Sequence, residues 1–183
     1  SLGLSSLTSV GGALEIYSND ALTNLDGLAS LTSAGHIFIF SEALTNLEGL
    51  SSLTSVAGDF ALLDNYSLKN LDGLSNLISI GGSLEISANT SLTNLDGLSA
   101  LPSLDGGSGN PGISWDGIPN LDGTLYVYYN DALSDCNGVA RLLGWPNGPP
   151  DDNVGGNIFV EYNNAGCNSV EELLASVPLP TQP

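Results

Sequence analysis

The sequence has 183 residues, 42% of them hydrophobic, with two Lys or Arg residues against 20 Asp or Glu residues and a formal net charge of −18. Length and hydrophobicity are typical of one globular domain rather than of a disordered chain. The negative charge argues against binding to nucleic acid or to an anionic membrane surface. No apolar run reaches the roughly 20 residues of a membrane-spanning helix, so we expect no membrane insertion.

A seven-residue block recurs along the first hundred residues. It reads Leu-Thr-Asn-Leu-Asp-Gly-Leu at 22–28 and 92–98, and returns with one substitution at 44–50 and at 68–74. The final leucines of successive blocks are 22, 24 and 24 residues apart. Repeats of this length are typical of folds in which each repeat is one unit stacked on the next.

A second block, beginning with Leu-Thr-Ser-Val at residue 7 and recurring with changes, leads each time into a short alternating segment. The alternation predicts strands at 14–17, 37–40, 60–63 and 84–87, and in looser spacing at 125–130 and 158–163. A repeat of 22–24 residues leaves no room for an ordinary helix beside these blocks. We therefore predict a mainly β fold, a parallel β-solenoid whose leucine-rich coils stack about 4.8 Å apart.

Glycine and asparagine recur at fixed places in these coils. We expect the block glycines to turn the chain with positive φ; they are Gly27, Gly49, Gly73 and Gly97. Asparagine follows most strands, with Glu42 in its place once, and is predicted to bond the backbone of neighbouring coils as an internal ladder. The predicted ladder comprises Asn19, Asn65, Asn89, Asn130 and Asn163.

An acidic residue also recurs, at Asp26, Glu48, Asp72 and Asp96. We expect each carboxylate to accept hydrogen bonds from the amides of its own turn. Stacked like charges repel, so bound Ca²⁺ is an alternative interpretation, although the spacing fits neither an EF-hand nor the nonapeptide Ca²⁺ repeat. No metal ligand is assigned.

We predict a single domain over 1–177, with regular coils at 1–104, irregular coils and a C-terminal cap at 105–177, and a Pro-rich tail at 178–183. Insertions are expected at 105–117 and 144–156. Short helices are expected at 139–143 and at 170–174, the second capped by Asn168 or Ser169. Cys136 and Cys167 are predicted to form a disulfide that staples the cap, which indicates an extracellular location. Because the chain has no methionine and begins inside a repeat, we expect it to be part of a longer protein.

The strand pattern Leu-x-Ile-x-x-Asn, as in 14–19, together with the two blocks, resembles the receptor L-domain and leucine-rich-repeat class. It is most similar to repeat regions of bacterial, Bacteroidetes-like, surface and secreted proteins, and the segment 166–172 resembles their cap. The resemblance covers about residues 4 to 175. It implies a leucine-rich solenoid and a surface or recognition role with diverse partners.

Candidate functional residues lie on one face of the strands. His36 is the only histidine, and we interpret it as a surface residue at the start of a strand. It leaves no second base for a catalytic triad, so we predict that the protein is not an enzyme. The outward strand positions carry many large apolar side chains, a pattern typical of an interface. The candidate binding face is Tyr17, Phe38, Phe40, Leu63, Tyr126, Tyr128 and Phe159, and Trp115 lies in a candidate binding loop. The alternative is that a loop, or the rest of the parent protein, covers this face.

The leading hypothesis is a non-catalytic extracellular or cell-surface recognition and adhesion module that binds a protein or a glycan. The alternative is a structural subunit that self-associates through solenoid edges into a filament or surface layer. Two lesser alternatives are an ice-binding protein, from the threonine rows at Thr8, Thr32 and Thr54, and a carbohydrate-active enzyme, from its many carboxylates.

Overall fold

A computed structural model describes residues 3–104, 123–143 and 154–176. Over these residues the protein is mainly β, with one open sheet of eight parallel strands and a single short α-helix, α1 (Val170–Ser176). The strands are β1 (Ser9–Tyr17), β2 (Ser33–Phe40), β3 (Ser55–Val56), β4 (Phe60–Leu63), β5 (Ser79–Ile80), β6 (Leu84–Ser87), β7 (Leu125–Tyr128) and β8 (Ile158–Glu161). Five 3-10 helices lie at Asp26–Leu28, Glu48–Leu50, Asp72–Leu74, Asp96–Leu98 and Asn137–Val139. The predicted parallel strands are confirmed.

The sheet runs in the order β5-β3-β2-β4-β6-β7-β8, and β1 pairs with β2. Each strand pairs with its equivalent in the next repeat, so that Leu14 lies beside Ile37 and Ile37 beside Phe60. The register survives the first insertion, because Leu84 pairs directly with Leu125 although 41 residues separate them. The regular and irregular parts of the sequence therefore belong to one sheet.

Columns of equivalent apolar side chains fill the core. Leu25, Leu47, Leu71 and Leu95 each precede a 3-10 helix and are fully buried, and Cys136 continues this column. Two other columns begin less well covered: Leu14 and Leu22 of the first repeat are only partly buried, whereas Ile37 and Leu44, their equivalents in the second repeat, are fully buried. Among the described residues β1 has a neighbouring strand on one side alone. Each repeat thus depends on its neighbours to bury its apolar side chains.

The prediction of positive φ at the block glycines is wrong. Among the described glycines only Gly123 and Gly166 have positive φ. The block glycines instead allow two backbones to approach closely: a Cβ added to Gly73 would overlap the carbonyl of Leu47 in the preceding repeat. The same overlap recurs at Gly49, Gly97 and Gly138. Glycine is therefore required for packing between repeats rather than for turning the chain.

The left-handed conformation is found instead at non-glycine residues. Five residues, each directly before a ladder asparagine, have φ between 49° and 56°; they are Ser18, Asp64, Ala88, Tyr129 and Tyr162. In the second repeat no such residue occurs among the described positions, and Ser41 follows Phe40 directly. This shorter turn accounts for part of the shorter spacing between the first two blocks.

The predicted asparagine ladder is confirmed from the third repeat onwards, but not at Asn19, which is exposed and whose side chain donates to the Tyr17 carbonyl of its own repeat. The Asn65 side chain donates to Asn89 Oδ1 (3.1 Å), that of Asn89 to Asn130 Oδ1 (3.3 Å), and that of Asn130 to Asn163 Oδ1 (3.0 Å). In the second repeat the ladder position belongs to Ser41, whose N–H donates to Asn65 Oδ1 at 2.9 Å. The prediction of Glu42 there is wrong, because the turn is one residue shorter and Glu42 is exposed.

The C-terminal cap combines the predicted disulfide with the predicted second helix. Cys136 and Cys167 are bonded, with their Cα atoms 5.8 Å apart. Ser169 caps α1, since its Oγ accepts the Glu172 N–H at 3.1 Å, while Asn168 Oδ1 accepts the Asn163 N–H and ends the ladder. The prediction of a short helix at 139–143 is wrong, because the 3-10 helix of this repeat ends at Val139 and residues 140–143 form turns.

Several predicted features lie outside the described residues. They are most of the insertions at 105–117 and 144–156, Trp115, and the tail at 178–183. Within the described ranges no helix is long and apolar enough to span a membrane.

Candidate functional site

Five aromatic side chains, called here the aromatic cluster, lie on and just beyond the last two strands: Tyr126, Tyr128, Tyr129, Phe159 and Tyr162. Tyr126 stacks on Phe159 with ring centroids 5.1 Å apart, and Tyr129 stacks on Tyr162 at 5.0 Å. Tyr128 joins the two stacks edge-on, with its ring 6.4 Å from that of Tyr126 and 5.3 Å from that of Tyr129. The five rings therefore form one continuous cluster.

Two features of the backbone hold these rings in place. Register pairs Tyr126 of β7 with Phe159 of β8, so their side chains lie on the same face of the sheet. Tyr129 and Tyr162 have φ of 56° and 55°, a conformation that costs a non-glycine residue about 1–2 kcal/mol. Asn130 holds the first of these turns in place, because its side chain donates to the Tyr128 carbonyl at 3.0 Å. Asn163, after the second, donates to the carbonyls of Val127 and Cys167.

The outer part of the cluster is open to solvent. Tyr129 is 51% exposed, Tyr162 is 58% exposed and Phe159 is 39% exposed. Tyr126 is buried and Tyr128 is half-buried, so they form the floor. Three exposed large rings supported by two more form an apolar surface, positioned by the sheet register and by the turns that follow the two strands.

Two carboxylates border the rings. Glu85 Oε1 accepts the Tyr128 hydroxyl hydrogen bond at 2.7 Å. Glu161 pairs in register with Tyr128 and is exposed. The sequence contains only two Lys or Arg residues, Lys69 and Arg141, against 20 acidic residues. The surroundings of the cluster are therefore negative.

The structure divides the predicted binding face. Tyr126, Tyr128 and Phe159 belong to the aromatic cluster. Phe38 is only 2% exposed and stacks on His36, with centroids 5.9 Å apart, so in this conformation it offers no exposed area. The remaining members are half-buried on earlier strands: Tyr17, Phe40 and Leu63. Burial, with a smaller contribution from Glu15, raises the pKa of Tyr17 to about 12. A continuous exposed patch along all the strands is not present.

Sequence reasoning missed Tyr129 and Tyr162. The strands predicted at 125–130 and 158–163 include them, but the period-two alternation places them on the opposite face from Tyr128 and Phe159. The observed strands end at Tyr128 and Glu161, so both tyrosines lie in the turns that follow. The sequence did hold one indication of their role. The residue directly before the asparagine is small or polar in earlier repeats and tyrosine in the last two; the earlier residues are Ser18, Asp64 and Ala88.

A second polar ladder was also missed. At the start of the strands, His36 Nδ1 accepts the Asp59 N–H (3.1 Å), and Asp59 Oδ1 accepts the Ser83 N–H (2.9 Å). In the same way, Ser83 Oγ accepts the Thr124 N–H, and Thr124 Oγ1 accepts the Asn157 N–H. The sequence interpretation of His36 as a surface-strand residue is incomplete, because the side chain is half-buried and bonds the next repeat.

The recurring acids do not cap their own turns, contrary to prediction. The asparagine two residues earlier does so, accepting the acid's backbone N–H at 3.1–3.3 Å in all four blocks. The acidic side chains are exposed. Partial burial, then the charges of Asp135 and Asp72, raises the pKa of Asp96. Among the described residues no group of three or more His, Cys, Asp or Glu side chains is placed to hold a metal ion.

The threonine rows bond the backbone of the preceding repeat. The Thr32 hydroxyl donates to the Thr8 carbonyl at 2.9 Å, and the Thr54 hydroxyl to the Thr32 carbonyl at 3.1 Å. These hydroxyl protons are therefore already used within the fold.

Comparison of the chain with models of protein families, with curated proteins and with solved structures finds no match in any of the three.

Proposed function

We propose that this protein is a leucine-rich β-solenoid, similar to the receptor L-domain class, that serves as a non-catalytic recognition module outside the cell or on its surface. Three observations support the solenoid. Each strand pairs in parallel with its equivalent in the next repeat, two ladders of polar side chains link successive repeats, and the 3-10 helices of successive repeats contact one another. The Cys136–Cys167 disulfide supports an extracellular location, because such bonds persist in oxidising compartments.

The aromatic cluster is the observation that carries the recognition role. Exposed tyrosine and phenylalanine rings provide large contact areas and are enriched at interfaces. The same left-handed turn has small or polar residues in earlier repeats and tyrosine in the last two, so the turn itself does not require an aromatic ring. Because the sheet register positions the rings before any partner arrives, little ordering of this surface is required on binding.

Screening the protein against arrays of immobilised glycans and of peptides tests this proposal. We expect binding that is lost when Tyr129 and Tyr162 are both replaced by Ser, the residue at the equivalent position of the first repeat. The matched control is Tyr66→Ser, which removes an exposed tyrosine (41% exposed) from another turn and is expected to leave binding unchanged. Binding that persists in the double variant would contradict the proposed site.

A structural role is the second candidate, and the free edge of β1 supports it. Within the described ranges β1 pairs only with β2, and an unpaired strand edge is a template for association. Light scattering over a range of protein concentrations tests this role. Growth of the scattering mass with concentration supports assembly, whereas a constant monomeric mass contradicts it.

A further inference from the structure

We infer that the aromatic cluster binds cationic side chains, so that its partner is a Lys- or Arg-rich segment of another protein. The inference rests on the proposed function and names the ligand class of the same site. It is argued from charge, from hydrogen-bonding capacity and from the arrangement of the rings.

Charge is the first argument. With 20 acidic residues and two basic ones, no more than a small fraction of the carboxylates can pair with a cation within the chain. Glu161, beside the rings, forms no ion pair with any described residue. The resulting field attracts a positive partner and speeds its association, and it repels an acidic one.

Hydrogen-bonding capacity is the second argument. A carboxylate only accepts hydrogen bonds. Glu85 already accepts them from the Tyr128 hydroxyl and from Ser87 Oγ, so the exposed carboxylate of Glu161 is the one that faces a partner. A surface with excess acceptors matches ammonium and guanidinium groups, which only donate. A neutral sugar can also donate to a carboxylate, but it gains no charge–charge attraction from it.

The rings supply the third argument. A Lys or Arg cation above the face of a tyrosine or phenylalanine ring is attracted by the negative face of its π system. Two stacked pairs joined by the edge-on Tyr128 present ring faces and edges within one small area. A long basic side chain can pack its methylene groups on these rings while its charge reaches Glu161.

Fluorescence anisotropy with labelled decalysine tests the inference on the full chain. The neutral counterpart is the same peptide with every lysine acetylated, and cellohexaose is the uncharged glycan probe. We expect the protein to bind decalysine, to bind it more weakly as salt rises from about 0.05 M to about 0.5 M, and to ignore the acetylated peptide.

Matched variants separate a site from diffuse attraction between opposite charges. We expect Tyr129→Ser with Tyr162→Ser to weaken decalysine binding about tenfold, and Tyr66→Ser to leave it unchanged. Glu161→Gln and Glu48→Gln each remove one exposed negative charge. A several-fold loss for Glu161→Gln, with little effect of Glu48→Gln, supports the inference.

Three results would overturn the inference that the aromatic cluster binds cationic side chains. Equal effects of Glu161→Gln and Glu48→Gln, with no effect of the tyrosine substitutions, show diffuse attraction without a site. Binding of cellohexaose but not of decalysine, lost in the double tyrosine variant, overturns the cationic ligand and leaves the proposed function intact. Absence of binding to cellohexaose, to decalysine and to every member of the glycan and peptide arrays overturns both.

Discussion

The turns of the early and the late repeats have the same interior and different exteriors. In the third and fourth repeats, Asp64 and Ala88 take the left-handed conformation before Asn65 and Asn89. In the last two repeats Tyr129 and Tyr162 take it, before asparagines that continue the same ladder. The comparison teaches that the ladder determines where the outer side chain points but not which side chain it is. The outer residue of this turn therefore differs between repeats while the hydrogen bonds of the ladder stay the same.

The largest effect is expected from breaking the shared interior at Asn89→Ala. The Asn89 side chain donates to the Leu62 carbonyl and accepts the Asn65 N–H, and both groups would be left buried without a partner. We expect the free energy of unfolding, measured with denaturant, to fall by about 3–5 kcal/mol. Asn19→Ala is the control, because Asn19 is exposed and donates only to the Tyr17 carbonyl; its cost should stay below about 1 kcal/mol. Similar losses in the two variants would show that the buried ladder has no special role.

Packing between repeats is tested by Gly73→Ala. The added Cβ would overlap the backbone carbonyl of Leu47, which cannot move without disturbing the stack. We expect the thermal unfolding midpoint to fall and the free energy of unfolding to decrease by about 2–3 kcal/mol. At Gly12 a Cβ meets no atom within 4 Å, so Gly12→Ala should have little effect. A Gly73→Ala protein as stable as the parent would refute the close-approach account.

Relief of strain in an early turn should stabilise the protein. Ala88→Gly removes the penalty of a positive φ, and we expect a gain of up to about 1 kcal/mol in the free energy of unfolding. Ala29→Gly is the opposite control, because Ala29 has φ of −59° and gains nothing from glycine's freedom. The free energy of unfolding of the Ala29→Gly variant should decrease by about 0.5–1 kcal/mol. Loss of stability in both variants would contradict the strain argument.

The smallest effect is expected at Asp96, one of the recurring acidic residues. A pKa raised in the folded state means that ionised Asp96 is disfavoured by folding, so stability falls as pH rises through the ordinary value of 3.8 and on to the raised one. We expect Asp96→Asn to raise the denaturation midpoint slightly at neutral pH, and the difference to vanish well below pH 3.8. A variant that is less stable at neutral pH would indicate that the carboxylate has a favourable partner.

Residues with periodic patterns were predictable from sequence, and residues whose role depends on close contacts were not. The strands, the asparagine ladder, α1 and the disulfide follow from spacing and residue type. The block glycines were located correctly but explained wrongly, because their contact with the preceding backbone cannot be read from one repeat. His36 was misjudged for a similar reason: its partner is an amide 23 residues away. Burial of Phe38 and exposure of Tyr162 depend on which neighbours cover each side chain, which alternation does not specify.

The central claim is that the tyrosines of the last two turns serve binding while the ladder beneath them serves stability. The most direct test replaces Tyr129 and Tyr162 by Ser and measures both decalysine affinity and the free energy of unfolding on the same sample. We predict affinity about tenfold lower with stability changed by no more than about 1 kcal/mol. Unchanged affinity, or a loss of several kcal/mol in stability, would contradict this division and make the rings part of the scaffold.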